Sequence, residues 1–416
     1  MKLFKLKLIF GIAVFIYSRL IFAMEPNQGC QDLRELYEDI RNHTILNFSH
    51  HEMKIIRSIN INAFDTGGFS QAGAYIDSNN GGRYIVFSCT HMALVSLAAA
   101  AMAYIGILPE PDRTEAGKAI EGYLRYLIYS ISFNKELISY PDFVGFSLPI
   151  NMQKNFQQVA FSIRYQMASA VLFHEFGHHV LNHLNTTTHD SAFSRAREQE
   201  ADKWAIRAML KSTMFPMVSV VLFKMFNELN RSDLKDEWKL KHPASTRRAI
   251  YYFENGMAVL EDPIIIKIFS ETKNKTGISL ASAKTRMKKI LEDYKNILEV
   301  EKEIVDDPLL YWSTQARKQD TMGLIEMGYI YYGKYGVKRD LQKSRNSFCL
   351  AAKLEEEYYQ YDYVSKASAH YLCGNIYGFW QGEGEEKDFN KAKYHLNKSA
   401  DMGFISAEVA LKHLKE

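Results

Sequence analysis

Proline is scarce, at 9 residues in 416, and that scarcity excludes a collagenous, mucin-like or largely disordered chain. Four cysteines are too few for a disulfide scaffold, although an even number leaves room for two bridges in an oxidising compartment. Neither sign of charge dominates. Fifty-one Lys+Arg stand against 48 Asp+Glu, a net +3, so the broad basic field of a nucleic-acid binder is missing and no nucleic-acid partner is expected. Nor is there an uninterrupted apolar run of about 20 residues, the length a membrane span needs. Hydrophobic side chains are abundant, at 47%, enough for a large core without staples. At about 150 residues per domain, the length allows about two or three domains.

The longest apolar runs need separate readings. Lys2, Lys5 and Lys7 precede the run from Leu8 to Tyr17, and after Ser18-Arg19 a further short stretch ends at Ala23. A basic start, a short apolar segment and a small residue at its end read as an export signal over residues 1–23, cut near Ala23. An uncleaved anchor reaching from Leu8 to Met24 is the alternative. The second run, Met92 to Leu108, ends at Pro109 before Glu110-Pro111-Asp112-Arg113. Its four consecutive alanines are weakly apolar and helix-favouring, so a buried helix of a folded domain is expected rather than a span. Membrane association is allowed by this reading but not required.

From Gln31 to Asn60 the apolar spacing is helical. Ala74-Tyr75-Ile76 and Arg83-Tyr84-Ile85-Val86-Phe87 then flank Ser78-Asn79-Asn80-Gly81-Gly82, which reads as two strands joined by a tight turn. Everything afterwards looks helical. Residues 271–318 form a connector, charged from Leu280 onward and broken at Asp307-Pro308.

Residues 319–416 contain an internal repeat. Met327-Gly328-Tyr329-Ile330-Tyr331 is echoed 46 residues later by Cys373-Gly374-Asn375-Ile376-Tyr377. Gly336, Asp340, Lys343 and Ala352 are echoed 48 residues later by Gly384, Asp388, Lys391 and Ala400. Short helix pairs with small residues at their crossings are how solenoids stack. The pattern resembles the Sel1-like repeat, a relative of the tetratricopeptide repeat. Trp312 and Ala316 look like the tail of a degenerate earlier copy, and Ala407 to Leu414 like a capping helix. Cys349 and Cys373 fall on elements that stack in such a module, so they are the best candidates for a disulfide, with Cys30 and Cys89 a poorer pair. Two small core thiols are the competing reading.

The chemistry centres on His174-Glu175-Phe176-Gly177-His178, an HExxH motif on an apolar helical background. At 100° per residue His174 and His178 project from one face a turn apart, so two imidazoles can bind one zinc ion with Glu175 beside them to hold a water. Glu198 and Asp202, four apart on a second helical segment, complete the constellation. A catalytic zinc needs three protein ligands and an open position for water, so Glu198 can complete the ligand set, with Glu200 the nearest alternative. Asp202 can accept the outer N–H of a metal-bound histidine and fix its tautomer. The same angular count turns His179 and His183 away from the zinc. His43 and His51 have no partner spacing and read as surface residues.

Together these residues resemble the M48 family of gluzincin metallopeptidases. Further matches are Asn62-Ala63-Phe64 with Gly67-Gly68, the Ser-Arg-x-x-Glu-x-x-Ala-Asp run at 194–202, and His242-Pro243 followed by Arg248. The resemblance covers roughly residues 50–255 of a domain placed at 24–270. It implies one Zn2+ per chain held by His174, His178 and Glu198, with Glu175 as the base. It brings His242 near the site, as an oxyanion stabiliser, a ligand in a latent form, or simply a turn residue, with Arg248 anchoring that loop. The expected fold is mainly α with a small β-sheet, a zincin-type metallopeptidase domain followed by an α-solenoid of Sel1-like repeats.

The implied function is a zinc-dependent endopeptidase acting on envelope or misfolded proteins, with clients or a protein partner recruited by the repeats. The order of signal, peptidase and repeats resembles periplasmic M48 proteases with tetratricopeptide repeats, and a periplasmic setting follows. A secreted protease with one foreign target, or a repeat-based binding protein with a structural zinc, are the alternatives. Glu175 weighs against the last, because a structural zinc needs no base.

Overall fold

The computed structural model describes residues 26–64, 72–132, 138–145, 150–185, 191–219, 221–223, 245–276, 279–358, 363–379 and 387–414. The segment expected to be an export signal, Gly67-Gly68 and His242-Pro243 lie outside them. The chain divides into two units, residues 1–117 with 138–298, and 118–137 with 299–416.

In the first unit, the expected N-terminal helix is two helices, α1 (Pro26–Thr44) and α2 (His50–Arg57). Ser49 starts α2 with a capping box: its hydroxyl accepts from the Glu52 N–H, and the Glu52 carboxylate accepts from the Ser49 N–H. His43 and His51 are exposed. The helical reading overshoots at its end, because Ile59 and Asn60 open a strand, β1 (Ile59–Phe64). The physical reason is period: Ile59 and Ile61 are buried while Asn60 and Asn62 are exposed, an alternation only a strand supports.

The expected hairpin is present as β2 (Gly73–Ile76) and β3 (Arg83–Ser88), paired antiparallel. Its turn is closed by the Gly81 N–H donating to the Asp77 carbonyl, with Gly81 at φ 69°, a value that favours glycine. β3 is the central strand of a three-stranded sheet in the order β1-β3-β2, and β1 runs parallel to it from Ile59 opposite Arg83 to Phe64 opposite Ser88. The buried Phe87 stacks on Tyr37 of α1, 3.9 Å between ring centroids.

The alanine-rich run forms α3 (Cys89–Ile107), which is packed along α6 (Ile150–Val180). Among the described residues no helix is long and apolar enough to cross a membrane. In sequence, α4 (Asp112–Ser132), which from Lys118 onward belongs to the second unit, and α5 (Tyr140–Val144) separate α3 from α6, and α7 (Ser191–Lys211) returns against α6. Phe48 wedges α7 in place, stacked on Trp204 and edge-on to Phe173, while the Trp204 indole N–H donates to Glu52 at 3.0 Å. α8 (Ser245–Val259) packs on α7, and its Ala249 and Phe253 share a core with Ile206 and Leu210. α9 (Pro263–Thr276) and α10 (Leu280–Asp306) follow.

The C-terminal part of the second unit, residues 299–416, holds the repeat module. α11 (Pro308–Arg317) begins at the expected break, with Asp307 as its N-cap accepting from the Leu310 N–H. Then come α12 (Thr321–Tyr332), α13 (Leu341–Tyr358), α14 (Tyr363–Gly378), α15 (Phe389–Asp401) and α16 (Ile405–His413), each packed on the next in a solenoid-like series. The two copies use the same devices. Asp340 and Asp388 each accept the N–H three residues on, at 3.0 Å. At Gly328 an added Cβ would lie 2.4 Å from Phe348, and at Gly374 it would lie 2.7 Å from Leu396, so glycine sets the helix crossing in both. Cys349 and Cys373 are joined by a disulfide between α13 and α14. Cys89 is also disulfide-bonded, and the side chain of Cys30 lies outside the described residues.

Candidate metal centre

The HExxH residues occupy the last turns of α6, and the spacing does what helical geometry requires. His174 and His178 lie edge to face with their Nε2 atoms 3.1 Å apart. Glu198 reaches them from α7, one oxygen 3.2 Å from His174 Nε2 and the other 3.3 Å from His178 Nε2. One ligand atom from each of the three lies within 4.8 Å of the others, and His178 and Glu198 are buried. Two imidazoles and a carboxylate converging in this way are the donor set and spacing of a three-ligand zinc site with one position left over.

The approach of the two helices depends on Gly177. A Cβ there would lie 3.1 Å from both the Cα and the carbonyl oxygen of Ala201, so the motif's glycine and the small residue before Asp202 face each other across the contact. Because the neighbours are backbone, α7 must shift to admit a methyl group. Gly177→Ala is expected to destabilise the metal-free chain by about 1–3 kcal/mol, read by urea denaturation.

Each histidine has its outer nitrogen held. Asp202 lies 2.7 Å from His174 Nδ1 and is in turn clamped by Arg248, whose Nε and Nη2 both donate to it at 2.8 Å. Burial works against the charge on Asp202, but Arg248 and His174 overcome it and lower its pKa to about 2. Burial likewise opposes charge on His174, yet Asp202 and Glu198 hold its pKa up at about 10 against the nearby Arg248. Arg248 is pushed above its ordinary value, Asp202 outweighing its burial. Without a metal the pocket therefore holds a proton on His174, which a cation would displace. Arg248 Nη2 also lies 3.2 and 3.3 Å from the two ring nitrogens of His174 and 3.7 Å from Glu198, which places it inside the constellation and not only at the loop it was expected to anchor.

On the other side, His178 Nδ1 lies 3.1 Å from His183 Nδ1, and His183 Nε2 lies 3.0 Å from Glu200. A carboxylate fixes the proton on His183 Nε2, so neutral His183 accepts at Nδ1 and His178 donates from its own Nδ1. The lone pair of His178 Nε2 is thereby aimed at Glu198 and His174. His183 is thus no ligand, as the angular count has it, but it bonds at the helix end directly behind His178 and does not face away. The helix ends at Val180, and Asn182 adopts a left-handed φ of 61°, which folds His183 back under the site. Burial lowers the His183 pKa, aided by His178 and Arg197 and opposed by Glu200. Glu200, weighed as an alternative ligand, has a side chain 64% exposed and serves His183 instead. The asparagine before His183 was the one signal in the sequence.

His179 points away, its Nε2 3.0 Å from the Tyr84 carbonyl, and so ties the end of α6 to β3. Burial lowers its pKa to about 4, with Arg83 and His178 adding to the effect. Glu175 is buried beside the pair. Burial and the charge of Glu175 together push the Tyr37 hydroxyl well above its ordinary pKa. His242 lies outside the described residues.

Comparison with known families finds the Peptidase U49 family over residues 83–269, and Sel1 repeats over residues 321–355 and 367–404. Peptidase U49 is a different family from the M48 family that the motifs resemble. No curated protein and no solved structure matches the chain. A peptidase-family domain is thus followed by Sel1 repeats, the arrangement of a protease with repeat-mediated interactions.

Proposed function

We propose that the first unit is a zinc-dependent endopeptidase with gluzincin-type chemistry, and that the repeats recruit its protein clients or a partner. The observation that carries this reading is the convergence of His174, His178 and Glu198, each imidazole oriented from behind, beside a buried Glu175. When bound, zinc supplies a Lewis acid and lowers the pKa of a coordinated water to about 7. Glu175 takes the proton of the attacking water and passes it to the leaving amine. Asp202 and Arg248 hold His174, and His183 and Glu200 hold His178, so the ligand nitrogens need no reorganisation. A buried base has no place in a purely structural zinc site. The disulfides at Cys349–Cys373 and at Cys89 support an oxidising compartment, in line with export to the envelope.

The test is metal content beside cleavage of casein. The oxidised chain is expected to hold about one zinc, and His174→Ala, His178→Ala and Glu198→Ala to lose metal and cleavage together. A chelator should abolish cleavage and added zinc restore it. Cleavage that survives chelation, or Glu198→Ala with full metal and activity, would overturn the reading.

A further inference from the structure

We propose that Cys349, Cys373 and His395 form a second divalent-metal site, in the repeat module, which exists only when the Cys349–Cys373 disulfide is reduced. The two sulfurs and a ring nitrogen of His395 all lie within 4.8 Å of one another. They come from three successive helices, α13, α14 and α15, so the stacking of the repeats presents them together. Two thiolates and an imidazole are a donor set that selects zinc among the common divalent ions, with the fourth position taken by water.

A disulfide needs two cysteines and nothing else, so the histidines call for their own explanation. His370, only 1% exposed and one turn before Cys373 on α14, places its Nδ1 2.9 Å from His395 Nδ1. A metal-binding imidazole is held through its other ring nitrogen, the role His370 takes when His395 binds through Nε2. The repeat scaffold does not require any of the four residues. At the 46- and 48-residue offsets, the other copy has Leu324 for His370, Met327 for Cys373 and Ser347 for His395, while Asn397 stands at the counterpart of Cys349. With Cα atoms 4.9 Å apart, the reduced side chains can set their sulfurs about 3.8 Å apart, as two thiolates on one tetrahedral zinc require.

The two states exclude each other, since both use the same sulfurs. Reduction breaks the S–S bond with two electrons and two protons from a pair of donor thiols, which become a disulfide. Metal binding then releases the two thiol protons. The reverse exchange, in which a donor disulfide takes the two electrons and becomes a pair of thiols, returns the bridge and expels the ion. This site is independent of the zinc reading of the first unit.

The test uses the full chain carrying His174→Ala and His178→Ala, which removes the first site. It is titrated anaerobically with Co2+, before and after reduction by a water-soluble phosphine. The phosphine takes oxygen from water to become the phosphine oxide, while the sulfurs gain the two protons. The reduced chain is expected to bind about one Co2+ with intense thiolate-to-cobalt charge-transfer absorption, and the oxidised chain none. Cys349→Ser and Cys373→Ser should abolish that band, His395→Ala should weaken binding at least about 10-fold, and Cys89→Ser should leave it unchanged. Where a serine variant fails to fold, alkylation of the reduced parent, with its helicity checked by circular dichroism, should remove the band instead. A reduced chain without the band, a band indifferent to alkylation and to Cys349→Ser, or unchanged affinity in His395→Ala would each overturn the proposal. Failure of the first-unit reading would appear separately, as absence of zinc from the oxidised wild-type chain.

Discussion

Glu175→Gln should keep about one zinc per chain and lower kcat/KM for casein by a factor of about 100 to 10,000. The side chain is buried, and glutamine matches it in volume, so neither cavity nor clash arises. His174, His178 and Glu198 are untouched, and so are the groups behind them, Asp202 with Arg248 and His183 with Glu200. What is lost is the acceptor for the water's proton, because a carboxamide has no basic lone pair near neutral pH. Metal analysis and steady-state kinetics on one preparation decide the matter. A variant that cleaves at the wild-type rate would show that the base lies elsewhere, and one that loses zinc as well would show that Glu175 supports the ligand set.

The sequence discloses the parts of this site that follow from regular helix. Four-residue spacing alone puts His174 beside His178 and Glu198 on the same face as Asp202, since the first pair precedes the end of α6 at Val180 and the second sits well inside α7. The same arithmetic fails for His183, five residues beyond His178, because α6 stops at Val180 and a left-handed Asn182 redirects the chain. Arg248 is 46 residues from Asp202, and no local rule connects them; it was singled out through a family resemblance, and the helix packing that brings them together is tertiary. The hairpin was legible because its turn is local, whereas the parallel pairing of β1 with β3 spans two unlike segments and leaves no mark in either. In the repeats, the 46- and 48-residue echoes foretold real equivalences, down to the close contacts at Gly328 and Gly374.

The largest stability effect is expected at Arg248. Arg248→Met removes the bidentate partner of a carboxylate only 4% exposed, and breaking a buried pair from one side typically costs about 3–5 kcal/mol. The sign of the pH dependence follows from Asp202. In the wild type its pKa is lowered to about 2, so its contribution is present above the ordinary aspartate value near 3.8 and is lost as pH falls through about 2. In Arg248→Met the carboxylate keeps only the His174 imidazolium as a cation, so its pKa rises toward the ordinary aspartate range and the deficit should shrink as pH falls below about 4. Pairing Arg248→Met with Asp202→Leu replaces both charges by apolar groups, which is often neutral or stabilising for a buried ion pair. Urea denaturation of the metal-free proteins should therefore show the double variant recovering most of the loss. Zinc affinity should not recover with it, staying about 10- to 100-fold below wild type because His174 no longer has an acceptor for its outer N–H. If stability and zinc affinity returned together, Asp202 would be holding the helices and not the histidine.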